Sequence, residues 1–342
     1  MKILGIESSC DETAASIVED GKNILSNVVA TQIPFHEIYK GVVPEIASRK
    51  HAEWILPVVK EALNEAHLSV HDIDAVASTN RPGLMGALLV GLTFGKTLAW
   101  SLQKPFIAIN HMLAHLYAAH LNSDISYPYL GLLVSGGHTI ICKVCNFDSI
   151  EVLGTTMDDS VGEAFDKVAK FYELGYPGGV VIERLSEHGN EKAFSFPIPK
   201  LDEVEHRYDV SFSGLKTAVI HQRDLFLNES FEPSTENMCA SFQATACKTL
   251  CSRLFRAIED TGIKTVVTGG GVAANKYLRK LLADRSDITC IFPPLKLCGD
   301  NGAMIAGIAY HYLMRGDVSP LNTTASARIV EFKRGLSKLR RT

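Results

Sequence analysis

Lys2-Ile3-Leu4-Gly5-Ile6, at the start of the chain, predicts a short buried strand, because the four residues that follow the lysine are apolar or glycine. The strand runs into a polar turn, Glu7-Ser8-Ser9-Cys10-Asp11-Glu12-Thr13, and a second strand is predicted over residues 14–19. Asp20-Gly21 then supplies the residues of a tight turn. The chain is therefore predicted to open with a strand, a small polar turn and a second strand.

The same pattern returns in the second half of the chain. Tyr129-Leu130-Gly131-Leu132-Leu133-Val134 predicts a buried strand, Ser135-Gly136-Gly137-His138-Thr139 a small polar turn, and residues 140–144 a second strand. Two segments with one pattern, one at the opening of each half, predict two lobes of related fold that face a shared cleft.

Helices and strands alternate through the rest of the sequence. A helix is predicted over residues 43–66 and a strand over 75–79, and in the second half a helix over 237–261 is followed by a strand over 265–268. This alternation predicts an α/β fold with a mixed or parallel sheet in each lobe.

The composition is that of a globular protein with enough apolar residues for two domains. The 342 residues are 46% hydrophobic and 21% charged, and the formal net charge is -4. That charge excludes a general polyanion-binding surface, so any contact with nucleic acid must be local or supplied by other subunits. The cysteine spacing fits neither a disulfide framework nor a zinc knuckle, and no signal peptide or membrane span is predicted. We therefore expect a cytoplasmic protein.

His111 and His115 form the most informative pair in the sequence. Residues at i and i+4 stand on one face of a helix, so the two imidazoles can hold one metal ion. Met112 replaces the glutamate of the His-Glu-x-x-His motif, which excludes a metallopeptidase of that kind. The alternative is that both histidines only cap or pack their helix.

Two turns are candidates for binding a phosphate or a carboxylate. Ser8-Ser9 and Ser135-Gly136-Gly137 each follow a buried strand, where backbone N–H groups and hydroxyls converge. The alternative for each is a tight hairpin without a ligand. Two related turns that face one cleft favour anion binding over that alternative.

A glycine-rich segment in the second half formally fits a dinucleotide fingerprint. Gly269-Gly270-Gly271-Val272-Ala273-Ala274 follows a strand, but the next strand ends at Pro293-Pro294 and not at the acidic residue that the fingerprint requires. We favour a glycine turn that passes close to a base or ribose, with Asn275 offering its amide at the start of the next helix.

Three carboxylates each allow two interpretations. Asp300 precedes an apolar helix and is either its N-cap or a third metal ligand beside the two histidines. Asp166 is a solvated helix carboxylate unless it faces the cleft, where it would bind substrate hydroxyls or an amine. Glu183 is equally ambiguous.

Taken together, these motifs closely resemble the universal tRNA threonylcarbamoyltransferase family, the Gcp/TsaD proteins once labelled O-sialoglycoprotein endopeptidases. Each motif is modest alone, whereas the whole set in this order along nearly the entire chain is specific. The motifs are Gly5-Ile6-Glu7-Ser8-Ser9-Cys10-Asp11-Glu12-Thr13, Gly41-Val42-Val43-Pro44-Glu45-Ile46-Ala47-Ser48-Arg49, His111-x-x-x-His115, Leu133-Val134-Ser135-Gly136-Gly137-His138-Thr139, Gly162-Glu163-Ala164-Phe165-Asp166-Lys167, Phe212-Ser213-Gly214-Leu215-Lys216-Thr217 and Asp300-Asn301-Gly302-Ala303-Met304-Ile305-Ala306.

The resemblance implies an actin/Hsp70-like (ASKHA) fold, in which two ribonuclease-H-like lobes surround a central cleft. We place the N-terminal lobe at residues 1–120, completed by a C-terminal helical segment over 300–342, and the second lobe at 121–299. The resemblance also implies the reaction. Threonylcarbamoyl-AMP gives its threonylcarbamoyl group to N6 of the adenosine 3′ of the anticodon in ANN-decoding tRNAs, and AMP is released.

The resemblance also assigns site residues. His111, His115 and Asp300 are implied to hold one divalent metal ion, described for the family as iron or zinc. The residues expected to bind the substrate are Ser8, Ser9, Val134, Ser135, Gly136, Gly137, His138, Asp166, Gly179, Glu183 and Asn275.

The mechanism follows as a hypothesis from these assignments. The metal and the Ser8-Ser9 turn anchor and polarise the donor, and the backbone N–H groups of Ser135-Gly136-Gly137 stabilise the charge that develops during acyl transfer. The exocyclic amine of adenine is a poor nucleophile, so Asp11 or Glu12 is expected to accept its proton.

Some positions depart from the usual pattern of the family. Arg81 stands where glycine is common, Asn110 where histidine is common, and Leu113-Ala114 where Glu-Gly separates the histidines. Val180 and Glu183 replace a proline and an aspartate, and the longer Glu183 is the change expected to alter substrate contacts most. None of these departures removes a metal ligand.

We also expect partners for this chain, and two other functions compete with acyl transfer. The resemblance implies tRNA, an inactive TsaB-like paralogue, a TsaE-like ATPase and a separate TsaC-type synthase that supplies the donor, with no membrane. The basic tail that runs from Lys333 to Arg341 is either a tRNA-facing patch or a solvated end. The rivals are a small-molecule phosphotransferase of the same fold and a nucleotide-binding scaffold without chemistry.

Overall fold

The computed structural model describes residues 1–199, 201, 204–221 and 223–328. These residues form two compact units. The first consists of Met1–Ile125 and residues 293–328, and the second lies within Ser126–Phe292. The basic residues from Lys333 to Arg341, for which a tRNA-facing role is one prediction, lie outside the described residues.

Strands and helices follow each other in the predicted alternation. In chain order the strands are β1 (Lys2–Glu7), β2 (Glu12–Glu19), β3 (Asn23–Thr31), β4 (Ala75–Arg81), β5 (Phe106–Asn110), β6 (Tyr129–Val134), β7 (Thr139–Asn146), β8 (Ser149–Thr155), β9 (Thr265–Gly269) and β10 (Thr289–Ile291). The α-helices are α1 (Ile33–His36), α2 (Pro44–Glu65), α3 (Met85–Leu102), α4 (His111–Tyr117), α5 (Val161–Phe171), α6 (Gly178–Ser186), α7 (Ser213–His221), α8 (Thr235–Thr261), α9 (Lys276–Ala283) and α10 (Gly302–Arg315).

The first unit contains a five-stranded mixed sheet among its described residues, in the order β3-β2-β1-β4-β5. The pairs β1–β2 and β2–β3 are antiparallel. The pairs β1–β4 and β4–β5 are parallel. Both faces of β1 are buried, because α2 and α3 cover one part of the sheet and α10 packs on β1 and β2. This explains the nearly continuous apolar run that predicts the strand.

The second unit repeats this topology within the described residues. Its sheet has the order β10-β9-β6-β7-β8, with β6–β7 and β7–β8 antiparallel and β6–β9 and β9–β10 parallel. Thus β6 takes the place of β1, and β7 and β8 take the places of β2 and β3. The predicted relation between the two halves is confirmed, and each half has a third antiparallel strand that the sequence analysis did not predict.

α10 lies so close to the first sheet that only glycine fits at the contact. A Cβ atom on Gly302 would lie 2.6 Å from the backbone nitrogen of Ser16 and 2.8 Å from the carbonyl oxygen of Gly5. A Cβ on Gly5 would in turn lie 2.3 Å from the carbonyl oxygen of Gly302. The two glycines therefore set the depth of the helix that follows Asp300.

Among the described residues, the 18-residue helix α3 is long and apolar enough to cross a membrane, judged by length and composition alone. Its mean hydropathy is 1.3. One face of α3 contacts the sheet, where Gly91 lies against Ser8, and Gly95 lies against Ser78 and Phe106.

Candidate functional site

The two histidines lie at the start of a short helix that begins where β5 ends. Asn110 is the last residue of β5, and its side-chain oxygen accepts a hydrogen bond from the backbone N–H of Met112 at 2.9 Å, which caps α4. His111 and His115 are both buried on this helix, and their ring centroids are 4.5 Å apart. The i,i+4 spacing therefore places both imidazoles together, as the sequence predicts.

Asp300 joins the histidines from the segment before α10. Its Oδ1 atom lies 3.0 Å from Nε2 of His115 and 3.4 Å from Nε2 of His111. One ligand atom from each of the three residues lies within 4.8 Å of the others, so the three could hold a metal ion. We call His111, His115 and Asp300 the metal-type cluster. The N-cap of α10 is Asn301, whose oxygen accepts from the N–H of Met304. Asp300 is therefore not the helix cap.

Glu7 supports the cluster and was missed by the sequence analysis. It is the last residue of β1, it is fully buried, and its Oε2 lies 2.9 Å from Nδ1 of His111. Its carboxylate also accepts hydrogen bonds from the N–H of Ser9 and the hydroxyl of Thr79. An acidic residue at the end of a buried strand was the available signal, because a buried carboxylate needs partners of this kind.

The charges of Glu7 and Asp300 dominate the electrostatics of the cluster. Burial by itself lowers the pKa of His111, but the two carboxylates outweigh burial and raise it to about 9. Burial raises the pKa of Glu7, and the charge of His111 reverses this, so the pKa is lowered overall. Two buried carboxylates thus create a place that stabilises positive charge.

The cluster fits a divalent metal ion. Two imidazoles and one carboxylate are a known ligand set that leaves coordination positions open. A carboxylate on the second ring nitrogen of a metal-binding histidine fixes the ring and its tautomer, and Glu7 holds this position on His111. Nδ1 of His115 is buried without a hydrogen-bond partner among the described residues, and the ring contacts Asp300 through Nε2.

Replacing Glu7 with glutamine should weaken metal binding by roughly 10- to 100-fold, the usual cost of losing such a supporting carboxylate. Competition between the protein and a chelator for Zn²⁺ or Fe²⁺ measures this affinity. The Glu45→Gln variant on α2 serves as the control, because the side chain of Glu45 is exposed and pairs with Arg49. Equal affinities in both variants would mean that Glu7 does not support a metal ligand.

Ser8 and Ser9 differ in what they contact. The Ser8 hydroxyl donates to the carbonyl of Ala87 at 2.9 Å and accepts from the N–H of Gly91 at 3.2 Å, so it fastens β1 to α3. The Ser9 hydroxyl lies 3.2 Å from Nδ1 of His111. The structure therefore brings Ser9 to the metal-type cluster and engages the Ser8 side chain with a helix.

Asp11 and Glu12 are adjacent carboxylates, and Glu12 is the first residue of β2. Burial, together with the charges of Asp11 and Asp300, raises the pKa of Glu12 well above its usual value. The hydroxyl of Thr31 donates to Glu12 at 3.3 Å. Burial and the charge of Asp11 also raise the pKa of Cys10. Of the two candidate proton acceptors, Glu12 is thus close enough to Asp300 to feel its charge.

The second unit contains the remaining predicted site residues. Val134 is buried at the end of β6, and the next residues form a tight turn. The backbone N–H of Ser135 donates to the carbonyl oxygen of His138, and the N–H of His138 donates to the Ser135 hydroxyl. Gly136 and Gly137 are exposed, and a Cβ on either would meet nothing within 4 Å. The backbone of this turn is therefore open to a ligand.

Asp166 and Glu183 both bind the start of a following helix. Oδ1 of Asp166 on α5 accepts from the N–H of Gly178 at 2.7 Å, which fixes α6 and its second residue, Gly179. Oε1 of Glu183 on α6 accepts from the N–H of Lys276 at 2.6 Å, at the start of α9. A carboxylate at a helix N-terminus is favoured by the helix dipole. Both residues therefore connect the elements that carry the predicted substrate site.

Asn275 is buried and caps α9. Its oxygen accepts from the N–H of Leu278 at 2.9 Å, and its amide donates to Gln243 at 2.7 Å. Gly270, with φ of +89°, lies against the Val134 backbone, where a Cβ would be 2.3 Å from the carbonyl oxygen. The glycine segment continues as a 3-10 turn and does not open a helix directly, which agrees with rejecting a dinucleotide fingerprint.

Comparison with known proteins gives the family. The family model described as tRNA N6-adenosine threonylcarbamoyltransferase matches residues 23–307. Proteins of that name are similar along nearly the whole chain. The protein of Treponema denticola is 68% identical over 334 residues, which are 98% of this chain and 99% of the relative. That of Brachyspira hyodysenteriae is 48% identical over 338 residues, 99% of each chain.

Solved structures with low sequence identity show the same fold. Full-length HypF matches with a TM-score of 0.62 and 16% identity, over 93% of this chain and 47% of HypF. Component A of the (R)-2-hydroxyglutaryl-CoA dehydratase of Acidaminococcus fermentans matches with a TM-score of 0.54 and 16% identity, over 92% of this chain and 99% of its own. The predicted fold class, α/β of the actin/Hsp70-like type with two related halves, is confirmed.

These similarities also decide between the functional interpretations. The relatives are named for the transfer of a threonylcarbamoyl group, which is an acyl group. This favours an acyltransferase over a phosphotransferase or a scaffold without chemistry. The motifs that carry the resemblance therefore identify the chain correctly. It belongs to the tRNA N6-adenosine threonylcarbamoyltransferase family.

Proposed function

We propose that this chain transfers the threonylcarbamoyl group of threonylcarbamoyl-AMP to N6 of the adenosine 3′ of the anticodon in ANN-decoding tRNAs. The N6 amine attacks the carbamoyl carbon, the bond from that carbon to the phosphate oxygen breaks, and AMP leaves with the electron pair. The observation that carries the proposal is the buried cluster of His111, His115 and Asp300 in a chain of this family.

His111, His115 and Asp300 would hold one divalent ion, iron or zinc, which supplies Lewis-acid polarisation of a bound oxygen when present. Glu7 keeps the His111 ring in place through Nδ1. In the second unit, the N–H groups of the exposed Gly136 and Gly137, in the turn Ser135-Gly136-Gly137, stabilise the negative charge that develops on the carbamoyl oxygen. Asp166, Glu183 and Asn275 shape the substrate site through the helix starts that they fix, and the helix held by Asp166 carries Gly179.

The proton that leaves N6 during attack goes to a carboxylate, and Asp11 and Glu12 are the candidates. The two carboxylates are adjacent and the charge of Asp300 acts on Glu12, which supports this role, because one of the pair can take up a proton while the other stays ionised.

Transfer of radiolabelled threonine to tRNA tests the proposed function. The assay contains the chain, a TsaC-type synthase, ATP, bicarbonate, and the TsaB-like and TsaE-like partners that we expect it to need. Label on tRNA is the expected result. No label, under conditions in which a known relative labels the same tRNA, would contradict the proposal, and ATP turnover with a small acceptor would favour a phosphotransferase.

Replacing Glu12 with glutamine, or Asp11 with asparagine, should lower the rate of transfer by about 100-fold, within the usual range for a general base. Metal content should stay unchanged, because neither residue belongs to the cluster of ligands. Initial rates of labelling measure the effect. Glu19→Gln, at the far end of the same strand β2, is the control. Wild-type rates in both the Glu12 and the Asp11 variant would exclude this assignment.

A further inference from the structure

A motif of the second unit lies at the start of α7. Phe212-Ser213-Gly214-Leu215-Lys216-Thr217 opens α7 in the second unit, and Phe212 is fully buried in the core. The carboxylate of Asp158 accepts from the N–H groups of Phe212 and Ser213 at 2.8 and 3.2 Å. The start of α7 is thus fixed to the segment that leads into α5.

The next residue, Asp159, joins the motif to α5. Its Oδ2 accepts from the hydroxyl of Ser213 at 3.1 Å and forms an ion pair with Lys216, while its Oδ1 lies 2.6 Å from Nζ of Lys167. The side chain of Asp159 is 11% exposed and that of Lys216 is 19% exposed. Burial raises the pKa of Asp159, and the hydrogen bonds from Lys167 and Lys216 lower it overall. A nearly buried carboxylate between two ammonium groups holds its position firmly.

Ser160 transmits this position to the exposed turn. Its hydroxyl donates to the carbonyl oxygen of Gly136 and accepts from the N–H of Glu163 at 3.1 Å, so that one side chain caps α5 and binds the turn. A Cβ on Gly162 would lie 2.6 Å from the carbonyl oxygen of Ser135. The start of α5 and the turn therefore have no room to move independently.

We propose that Asp159 and Lys216 are positioning residues for acyl transfer, which hold the turn Ser135-Gly136-Gly137 in the geometry that stabilises the developing charge. Neither residue contacts the reacting atoms in this scheme. They act through Ser160, and the inference rests on the proposed function. Because stabilisation of developing charge depends on donor position to within a fraction of an ångström, loss of the ion pair should affect the chemical step more than binding.

Steady-state transfer kinetics with Asp159→Asn and Lys216→Met test this role. We expect kcat to fall roughly 10- to 100-fold while KM for threonylcarbamoyl-AMP changes by less than about threefold. Lys216→Arg keeps the charge and should recover most of the rate. The double variant should lose little more than either single one, because both changes break the same link.

Asp260→Asn is the matched control. Asp260 forms a two-pronged ion pair with Arg207 in the same unit, at 2.5 and 2.7 Å, away from the turn. This variant should keep the wild-type kcat. Ser160→Ala removes the hydroxyl that reaches Gly136 and caps α5, so it tests the same link if Asp159→Asn does not fold, as judged by thermal melting.

The outcomes separate the two proposals. Transfer by the wild-type chain with equal kcat in Asp159→Asn, Ser160→Ala and Asp260→Asn would overturn the positioning role and leave the proposed function standing. A rise in KM alone, with kcat unchanged, would also overturn it. Absence of transfer by the wild-type chain would overturn the proposed function and this inference with it.

Discussion

Replacing His115 with alanine is expected to abolish stoichiometric metal binding and to lower transfer to tRNA by more than about 100-fold, since losing a ligand costs more than losing its supporting carboxylate. His115 is 2% exposed and its Nε2 lies 3.0 Å from Asp300, so its removal leaves two of the three ligand residues. Metal content per chain by elemental analysis, together with initial rates of labelling, measures both effects.

His120→Ala is the control for this variant. His120 lies five positions further along, it is similarly buried, and its ring stacks on Tyr117 and not in the cluster. Loss of packing should therefore be comparable in the two variants, while only His115→Ala should lose the metal. Normal metal content in His115→Ala would remove His115 from the set of ligands, and normal transfer without metal would exclude a role of the metal in the reaction.

Replacing Gly302 with alanine is expected to destabilise the first unit by about 3 kcal/mol, the upper part of the usual cost of overpacking. The added Cβ would lie 2.6 and 2.7 Å from backbone atoms of Ser16 and Ala15, which cannot rotate away as a side chain can. To relieve this contact α10 must move away from β1 and β2, and Asp300 precedes that helix by two residues. Metal affinity should therefore fall together with stability.

Gly299→Ala provides a sharp comparison for Gly302→Ala. Gly299 stands only three residues earlier and is exposed, and a Cβ there would meet nothing within 4 Å. Its free energy of unfolding should change by less than about 1 kcal/mol. Chemical denaturation and chelator competition on both variants measure the two effects. Equal stability of the two variants would show that α10 can shift without cost.

The sequence predicts the central elements of each half because their signals are local. A buried strand that ends at small polar residues is visible at Lys2–Glu7 and at Tyr129–Val134, and the helix predicted over 43–66 is observed as Pro44–Glu65. β3 (Asn23–Thr31) and β8 (Ser149–Thr155) were missed because they are partly exposed and mix polar with apolar residues. Such edge strands lack the apolar run that marks a buried strand.

In the site, too, local signals allow a prediction and contacts between distant residues do not. His111 and His115 are predicted together because one turn of helix makes them neighbours. The contacts of Asp300 with His115 and of Glu7 with His111 join residues 185 and 104 positions apart, which no local pattern specifies. Resemblance to a family supplied Asp300, whereas Glu7 was hidden inside a motif that reads as a turn. The links from Asp166 and Glu183 to helix starts are likewise tertiary.

The arrangement of the first unit has a consequence during synthesis. Two candidate ligands are made early, on α4, and the third is made only after residues 126–292 have been synthesised. Until α10 follows, the surface of β1 and β2 that it covers stays open on the nascent chain. A chain that terminates anywhere before residue 300 therefore cannot assemble this set of ligands. Binding of an ion by these three residues would therefore require a chain that extends beyond residue 300.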